Sequence, residues 1–125
     1  NTGVALDYMA EVTEQLLPPA EPNERFFRLL LAVLEFLRNK GPAAVWQAVA
    51  YFTLWAVKLS GWLPPLGVQP DSQALAEEML RTPISQMTPR VWDRTTAADL
   101  RRFLVRQIEE HIERKLVTAP LLETA

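Results

Sequence analysis

The chain has no cysteine among its 125 residues, and this absence excludes several kinds of protein. Disulfide scaffolds, zinc ribbons and thiol-based catalysis all require cysteine, so none of them can be built from these residues. Glycine is scarce too, with four residues scattered along the sequence, which leaves no glycine-rich loop to hold a phosphate. The net charge is only −2, whereas nucleic-acid-binding domains usually carry a clear basic excess.

A catalytic centre is equally hard to find. His111 is the single histidine, and it lies on the apolar stripe of a predicted helix, where we expect a partly buried, hydrogen-bonded imidazole. The sequence places no nucleophile or orienting carboxylate to complete a triad with it. The carboxylate pairs Glu77–Glu78 and Glu109–Glu110 are adjacent in sequence, and adjacent residues do not face each other on a helix. The sequence therefore favours a domain that is not an enzyme and holds no metal or cofactor.

Charge is missing altogether between Lys40 and Lys58. The 17 residues 41–57 spread aromatic and aliphatic side chains around the whole circumference of a predicted helix, 42–60. Such a helix is either the centre of a bundle or a membrane span, and the run is shorter than the roughly 20 residues that a bilayer requires. The first residues also lack the pattern of a signal peptide. We therefore predict a buried central helix in a cytoplasmic protein without membrane contact.

The remaining segments also repeat their apolar residues at helical spacing, and none alternates as a strand does. The first predicted helix spans 4–17 and ends at Pro18-Pro19. A short helix is expected from a cap at Asp71 or Ser72 to Arg81, and another helical turn after Thr88-Pro89. These segments predict an all-α fold, a compact bundle of about five to six helices around the central apolar helix.

Several residues mark the ends of these helices. Asn23 is the expected cap of the second helix, and residues 96–99 have the spacing of a capping box that opens the last one. Gly41 and Gly61 suit the ends of the second and central helices, and Trp62 is expected to fold back onto the core. The second helix has a broad apolar face, formed by Phe26, Phe27, Leu30, Val33, Leu34 and Leu37.

Arginine is concentrated in residues 81–106, which hold six arginines and two aspartates, a local charge of +4. One interpretation is a solvated helix face, since Arg106 can pair with Glu109 or Glu110 at helical spacing. The other is a docking surface for phosphates or an acidic peptide, because guanidinium groups bind oxyanions in pairs of hydrogen bonds. The local excess favours the anion-binding surface.

The chain resembles the C-terminal helical domain of the bacterial recombination and repair mediator RecO. The resemblance lies in three stretches that follow each other in the family's order: "LDYMAEVTEQLLPPAEPNERFFRLLLAVLEFL" (6–37), "YFTLWAVKLSGWLPPL" (51–66) and "DLRRFLVRQIEEHIERKL" (99–116). It implies that the chain, which opens at Asn1, is the C-terminal part of a longer protein with an N-terminal oligonucleotide-binding barrel. On this view residues 1–125 form a single helical domain.

The resemblance also implies partners. Members of the family anneal single strands and help recombinase to replace single-stranded-DNA-binding protein, acting with RecR and sometimes RecF. They grip the acidic, Phe-ending tail of single-stranded-DNA-binding protein through the helical domain. Single-stranded DNA is then a partner of the full-length chain. Many members carry a four-cysteine zinc module where this chain has only "GVQPDS" (67–72), so we expect a domain that lacks the zinc module.

The set expected to contact anions and partners is Lys58, Arg101, Arg102 and Arg106, which stand at basic positions that match the family. Arg90 and Arg94, in the arginine-rich stretch outside the matching segments, are the candidate DNA-contacting residues. An alternative stays open: a helical ligand-sensing or dimerisation domain in which some of the four tryptophans line a pocket. Buried aromatic residues mostly fill cores, which favours core packing for these tryptophans.

Overall fold

The structure is a computed structural model that describes residues 2–17 and 23–125. In these ranges all regular structure is helical, with two short 3-10 helices, Pro42–Ala44 and Ile84–Gln86, beside the α-helices. The α-helices are α1 (Thr2–Leu16), α2 (Glu24–Lys40), α3 (Val45–Leu59), α4 (Pro70–Arg81), α5 (Ala98–Ile112) and α6 (Ala119–Leu122). The predicted all-α fold is confirmed.

The centre of the bundle is α3, as predicted. Ten of its 15 residues are buried, and α1, α2 and α5 all pack against it. Phe52 meets Phe26 of α2 edge to face, with 6.0 Å between the ring centres. The hydroxyl of Tyr8 in α1 lies 2.9 Å from that of Thr53, which itself donates to the carbonyl of Val49. Burial raises the pKa of Tyr8, so this phenol remains a neutral hydrogen-bonding group in the core.

The predicted ends of α2 and α3 are confirmed. Oδ1 of Asn23 accepts a hydrogen bond from the backbone N–H of Phe26 at 3.0 Å. Gly41 follows α2 with φ 75° and Gly61 follows α3 with φ 88°, a region of backbone conformation that favours glycine. Trp62 then turns back and packs against the core.

The apolar face of α2 is wider than its contact with the core. Of the predicted apolar face, Phe26, Val33 and Leu37 are buried. Phe27 and Leu34 belong to the same predicted face, but they point to solvent, with exposed fractions of 60% and 41%. The reason is geometric, because apolar side chains cover most of this helix and only the side towards α3 can be buried.

Asp99, at the start of α5, connects α5 with α4. Its carboxylate accepts hydrogen bonds from the backbone N–H of Gln69 at 2.7 Å and from the hydroxyl of Ser72. Burial opposes ionisation, but these hydrogen bonds outweigh it and lower the pKa of Asp99. The predicted cap at Asp71 or Ser72 is wrong, because α4 already begins at Pro70 and Ser72 is used for this tertiary contact.

The capping box predicted at the start of α5 is also wrong. The hydroxyl of Thr96 accepts a hydrogen bond from the backbone N–H of Asp93, and the residue before the helix is Ala97, in the left-handed conformation. The helical turn predicted directly after Thr88-Pro89 is not formed, since residues 88–97 contain no helix, and the nearby 3-10 turn lies earlier, at 84–86. The helix end predicted at Pro18-Pro19 falls outside the described residues.

The chain after α5 folds back over the bundle, which the sequence did not predict. Leu116 and Leu122 are each only 1% exposed. Glu11 of α1 accepts the backbone N–H groups of Val117 and Thr118 at 2.8 and 2.9 Å. Burial raises the pKa of this carboxyl, but the hydrogen bonds outweigh burial and leave its pKa below the ordinary value. The C-terminal segment, residues 116–123, is therefore fixed to both α1 and α5.

Candidate anion-binding groove

Helix α5 divides its arginines between the interior and the surface. Arg101 is only 3% exposed, whereas the side chain of Arg102 is 54% exposed and Arg106 is also exposed. Arg101 lies on the same face as the buried Leu104 and Ile108, which follow it by three and seven positions. Both interpretations of the arginines, a solvated helix face and a docking surface, place them at the surface, and this is wrong for Arg101.

The buried guanidinium of Arg101 has three partners inside the domain. Nη1 donates to the carbonyl of Arg94 at 3.0 Å, and Nη2 donates to the carboxylate of Glu123 at 3.0 Å. Its central carbon lies 5.0 Å from the ring centre of Trp46, a distance at which a cation is attracted to the face of the ring. Only Nε lacks a hydrogen-bond partner among the described residues. Arg101 is thus committed to contacts within the fold.

The carboxylate of Glu123 is the centre of this cluster. Its Oε1 accepts from Nε and Nη2 of Arg102 at 3.1 and 2.6 Å, while Oε2 accepts from Arg101. The backbone carbonyl of Glu123 accepts from Arg94 at 2.8 Å. The hydrogen bond from Arg102 is the main cause that lowers the pKa of Glu123, and the same contact raises the pKa of Arg102. The site therefore already holds one ionised carboxylate between two guanidinium groups.

A groove of about 370 Å³ runs along α5 beside this cluster. Its lining includes four basic side chains and two acidic ones: Arg101, Arg102, Arg106 and Lys115, with Glu109 and Glu123. Lys115 lies 3.8 Å from Glu109, and Val105 and Leu122 supply apolar surface. Arg106 forms no ion pair or hydrogen bond with the part of the chain that the structure describes. A groove of this composition can accept both a carboxylate and an apolar side chain.

The remaining candidate residues lie elsewhere. Lys58 is exposed in the last turn of α3 and does not line the groove. Arg90 lines a different cleft of about 280 Å³, together with Lys40 and Gln47. Arg94, the other candidate DNA-contacting residue, donates to the backbone carbonyl of Glu123, the residue whose carboxylate binds Arg101 and Arg102. The structure therefore brings Arg94, Arg101, Arg102 and Arg106 together around Glu123 and the groove. Lys58 and Arg90 lie away from this group.

His111 is exposed, so the prediction of a partly buried imidazole is wrong. The last turn of α5 reaches the edge of the bundle, where the imidazole stacks on the ring of Trp62 with 4.2 Å between ring centres. The tryptophans lie in separate surroundings. Trp55 donates to the backbone carbonyl of Met79 at 2.8 Å, and Trp92 is buried. This distribution supports core packing and gives no support to a pocket shared by the tryptophans.

Sequence reasoning missed two residues of the site, Glu123 and Lys115. No local pattern indicates the Glu123 contact, because its partners lie 21 and 22 positions away and depend on how the C-terminal segment folds back. The burial of Arg101, in contrast, could have been predicted from the sequence. Its spacing from Leu104 and Ile108 is the spacing of one helix face, and that spacing could have placed the guanidinium towards the core.

Residues 2–17 and 23–125 also contain neither a metal-binding cluster of acidic and histidine side chains nor a membrane-spanning helix. No group of three or more histidine, aspartate or glutamate side chains in these ranges is placed to hold a metal ion. No helix in them is long and apolar enough to cross a membrane.

The fold and the groove define a class: an all-helical domain whose basic groove holds a carboxylate. Comparison with known protein families is consistent with this class and identifies a particular family. The family described as Recombination protein O C terminal matches residues 2–69. Because this match covers more than half of the chain, the chain belongs to that family. The matched span ends in the loop 67–72, where the sequence predicts that a zinc module is lacking.

A curated relative supports the same assignment. The DNA repair protein RecO of Koribacter versatilis is 38% identical to the chain in an alignment that covers 96% of the chain and 62% of the relative. The chain thus spans somewhat less than two thirds of that protein's length. The alignment runs over 154 residues, more than this chain contains, so the relative has residues within the matched span that this chain lacks. No solved structure shows significant similarity to the chain.

Proposed function

We propose that this domain is a non-enzymatic interaction module of a recombination and repair mediator. Its groove along α5 would bind the acidic, Phe-ending tail of single-stranded-DNA-binding protein. In the full-length protein it would follow an oligonucleotide-binding barrel, act with RecR-like and RecF-like proteins and assist the annealing of single-stranded DNA. Membership in the RecO C-terminal family supports the general role.

The observation that carries the peptide proposal is the position of the Glu123 carboxylate. A carboxylate already rests between Arg101 and Arg102, so the chemistry of the groove suits an acidic ligand. A tail that ends in phenylalanine presents a terminal carboxylate next to an aromatic ring. The free guanidinium of Arg106 can take the carboxylate, and Val105 and Leu122 can contact the ring.

A binding experiment tests this proposal. A fluorescent peptide of acidic residues ending in phenylalanine should bind the chain with an affinity that falls as salt is added. Arg106→Glu should weaken binding about tenfold or more, because a charge-assisted hydrogen bond contributes about 1.5–3 kcal/mol. Glu123→Gln should strengthen binding, because the Glu123 carboxylate competes with the peptide for Arg102 and the substitution removes its charge.

Two controls sharpen the experiment. Lys58→Glu changes an exposed cation outside the groove and should leave the affinity nearly unchanged. The same peptide with an amidated C-terminus should bind much more weakly. Absence of binding by the unmodified peptide, or an equal loss in the Lys58 and Arg106 variants, would contradict a specific site on α5.

A second basic surface favours a direct contact with DNA. The cleft at Arg90 is also lined by Lys40, and none of its lining residues within 2–17 and 23–125 is acidic. We infer that it contributes to binding of single-stranded DNA by the full-length protein. Arg90→Glu should lower DNA affinity and reduce the salt dependence of binding, since one phosphate contact is lost. An unchanged salt dependence would exclude Arg90 from the contact.

A further inference from the structure

Helix α2 exposes a row of large apolar side chains on the side away from α3. Phe27, Leu31 and Leu34 are 60%, 50% and 41% exposed. They are spaced by four and then three positions, so they lie above one another on consecutive turns of the helix. Single exposed apolar residues are common on protein surfaces, but a continuous row marks a contact surface. We call these three residues the α2 stripe.

The spacing of the α2 stripe is that of a helix-pairing seam. Positions 27, 31 and 34 fit the alternating d and a sites of a heptad, which meet a partner helix in coiled coils. Arg38 continues the seam as the next a site. The two flanking e sites on one edge are Arg28 and Glu35, which carry opposite charges.

The charges around the stripe are available for a partner. Arg28 pairs with Glu24 at 2.8 Å, but both side chains are at least 70% exposed. Glu35 and Arg38 are 3.8 Å apart and also highly exposed. Exposed pairs of this kind contribute little to stability, so they can exchange partners at small cost.

We propose that the α2 stripe binds the α2 stripe of a second copy of this chain in an antiparallel, two-fold symmetric pair. In this register Leu31 packs against Leu34 of the other copy, and Phe27 packs against Arg38 of the other copy. Arg28 then lies near Glu35 of the other copy, and the symmetry forms this ion pair twice. An antiparallel seam also gives Phe27 a cation to stack on.

Charge complementarity is what selects a second copy and this orientation. In a parallel pair the a sites Glu24 and Arg38 would each face their own equivalents, and the like charges would repel. In the antiparallel pair Arg38 meets Phe27 and Arg28 lies near Glu35, while Glu24 lies opposite Gly41, past the end of the partner helix, and meets no like charge. The net charge of −2 offers little general repulsion between copies. A single helix face is a small interface, so we expect a weak, concentration-dependent dimer.

Sedimentation velocity of the chain over a wide concentration range tests the proposal. The mass should rise from 14.2 kDa towards twice that value as concentration increases. Leu31→Glu should raise the dissociation constant about tenfold or more, because it buries an unpaired charge from each copy at the seam. Leu31 is exposed in the monomer, so this variant should keep the helical circular dichroism of the parent. Leu6→Glu changes an exposed leucine of α1 and should leave the dimer unaffected.

Charge exchange identifies the register. Arg28→Glu and Glu35→Arg should each weaken the dimer, and the double exchange should restore it, because opposite charges again face each other. A monomer at every concentration would overturn the proposal and assign the stripe to another occupant. A dimer that Leu31→Glu leaves unchanged, or a double exchange without recovery, would overturn it as well. None of these outcomes affects the peptide proposal, since the groove lies on α5 and the C-terminal segment.

Discussion

Replacement of Arg101 by alanine should cost far more stability than the same change at the neighbouring Arg102. Arg101 is buried and donates charge-assisted hydrogen bonds to Arg94 and Glu123, each 3.0 Å long. Hydrogen bonds to charged groups contribute about 1.5–3 kcal/mol each, and the contact with Trp46 adds about 1 kcal/mol.

An opposing contribution reduces this sum. The Nε of Arg101 is buried without a partner, and such a group costs about 1–3 kcal/mol, which the substitution removes. Glu123 also keeps its contact with Arg102 and is partly exposed, so it does not become an isolated buried charge. The expected loss for Arg101→Ala is therefore about 1–6 kcal/mol of unfolding free energy. Arg102→Ala breaks an exposed ion pair and should change stability much less.

Urea denaturation followed by circular dichroism measures both values on the same chain. The double variant Arg101→Ala with Glu123→Ala should lose less than the sum of the two single variants, because the residues share an interaction. A cost for Arg102→Ala equal to or greater than that for Arg101→Ala would refute the reasoning. Independent, additive losses at 101 and 123 would refute it too.

Three further predictions concern the rest of the fold. Asn23→Ala removes the side-chain cap of α2 and should cost about 1 kcal/mol in urea denaturation, with Asn23→Asp nearly neutral. Tyr8→Phe deletes the hydrogen bond to Thr53 and should cost about 1 kcal/mol, whereas a gain in stability would exclude that bond as stabilising. The pKa of Glu11 is lowered in the folded chain, so its contribution is complete above the ordinary glutamate pKa and is lost as pH falls through the folded value. The protection of the Thr118 amide against exchange, taken relative to the intrinsic exchange rate at each pH, should therefore fall in acid, and Glu11→Gln should abolish that pH dependence.

The local features of the fold could be predicted because they depend on near neighbours in the sequence. An uncharged run bounded by lysines predicts a buried α3, and Asn23 caps the next helix through a residue three positions later. The caps at Ser72 and Thr96 were wrong for the same kind of reason. Their hydroxyls can serve a helix end or another group, and tertiary contacts decided which partner each one has.

The faces of helices were predictable only in part. Periodicity showed that α2 is apolar over a wide arc, but it could not show which part of the arc would meet α3. Phe26 became core and Phe27 remained at the surface, although they are adjacent and identical. The contact of Glu123 with α5 was beyond prediction, because it depends on the path of residues 113–122 and on no repeated pattern.

The difference between Arg101 and Arg102 also determines how an external carboxylate would enter the groove. The contact of Glu123 with Arg102 is exposed, so it can be exchanged for another partner at small cost. The contact of Glu123 with Arg101 involves a buried guanidinium, which also lies 5.0 Å from the ring centre of Trp46. An acidic ligand therefore needs to displace Glu123 from Arg102 alone, and Glu123 can keep its place on Arg101. Arg106, which has no partner among the described residues, then supplies the second guanidinium for the ligand. For this reason we expect substitutions at 102 and 106 to act on affinity, and substitution at 101 to act mainly on stability.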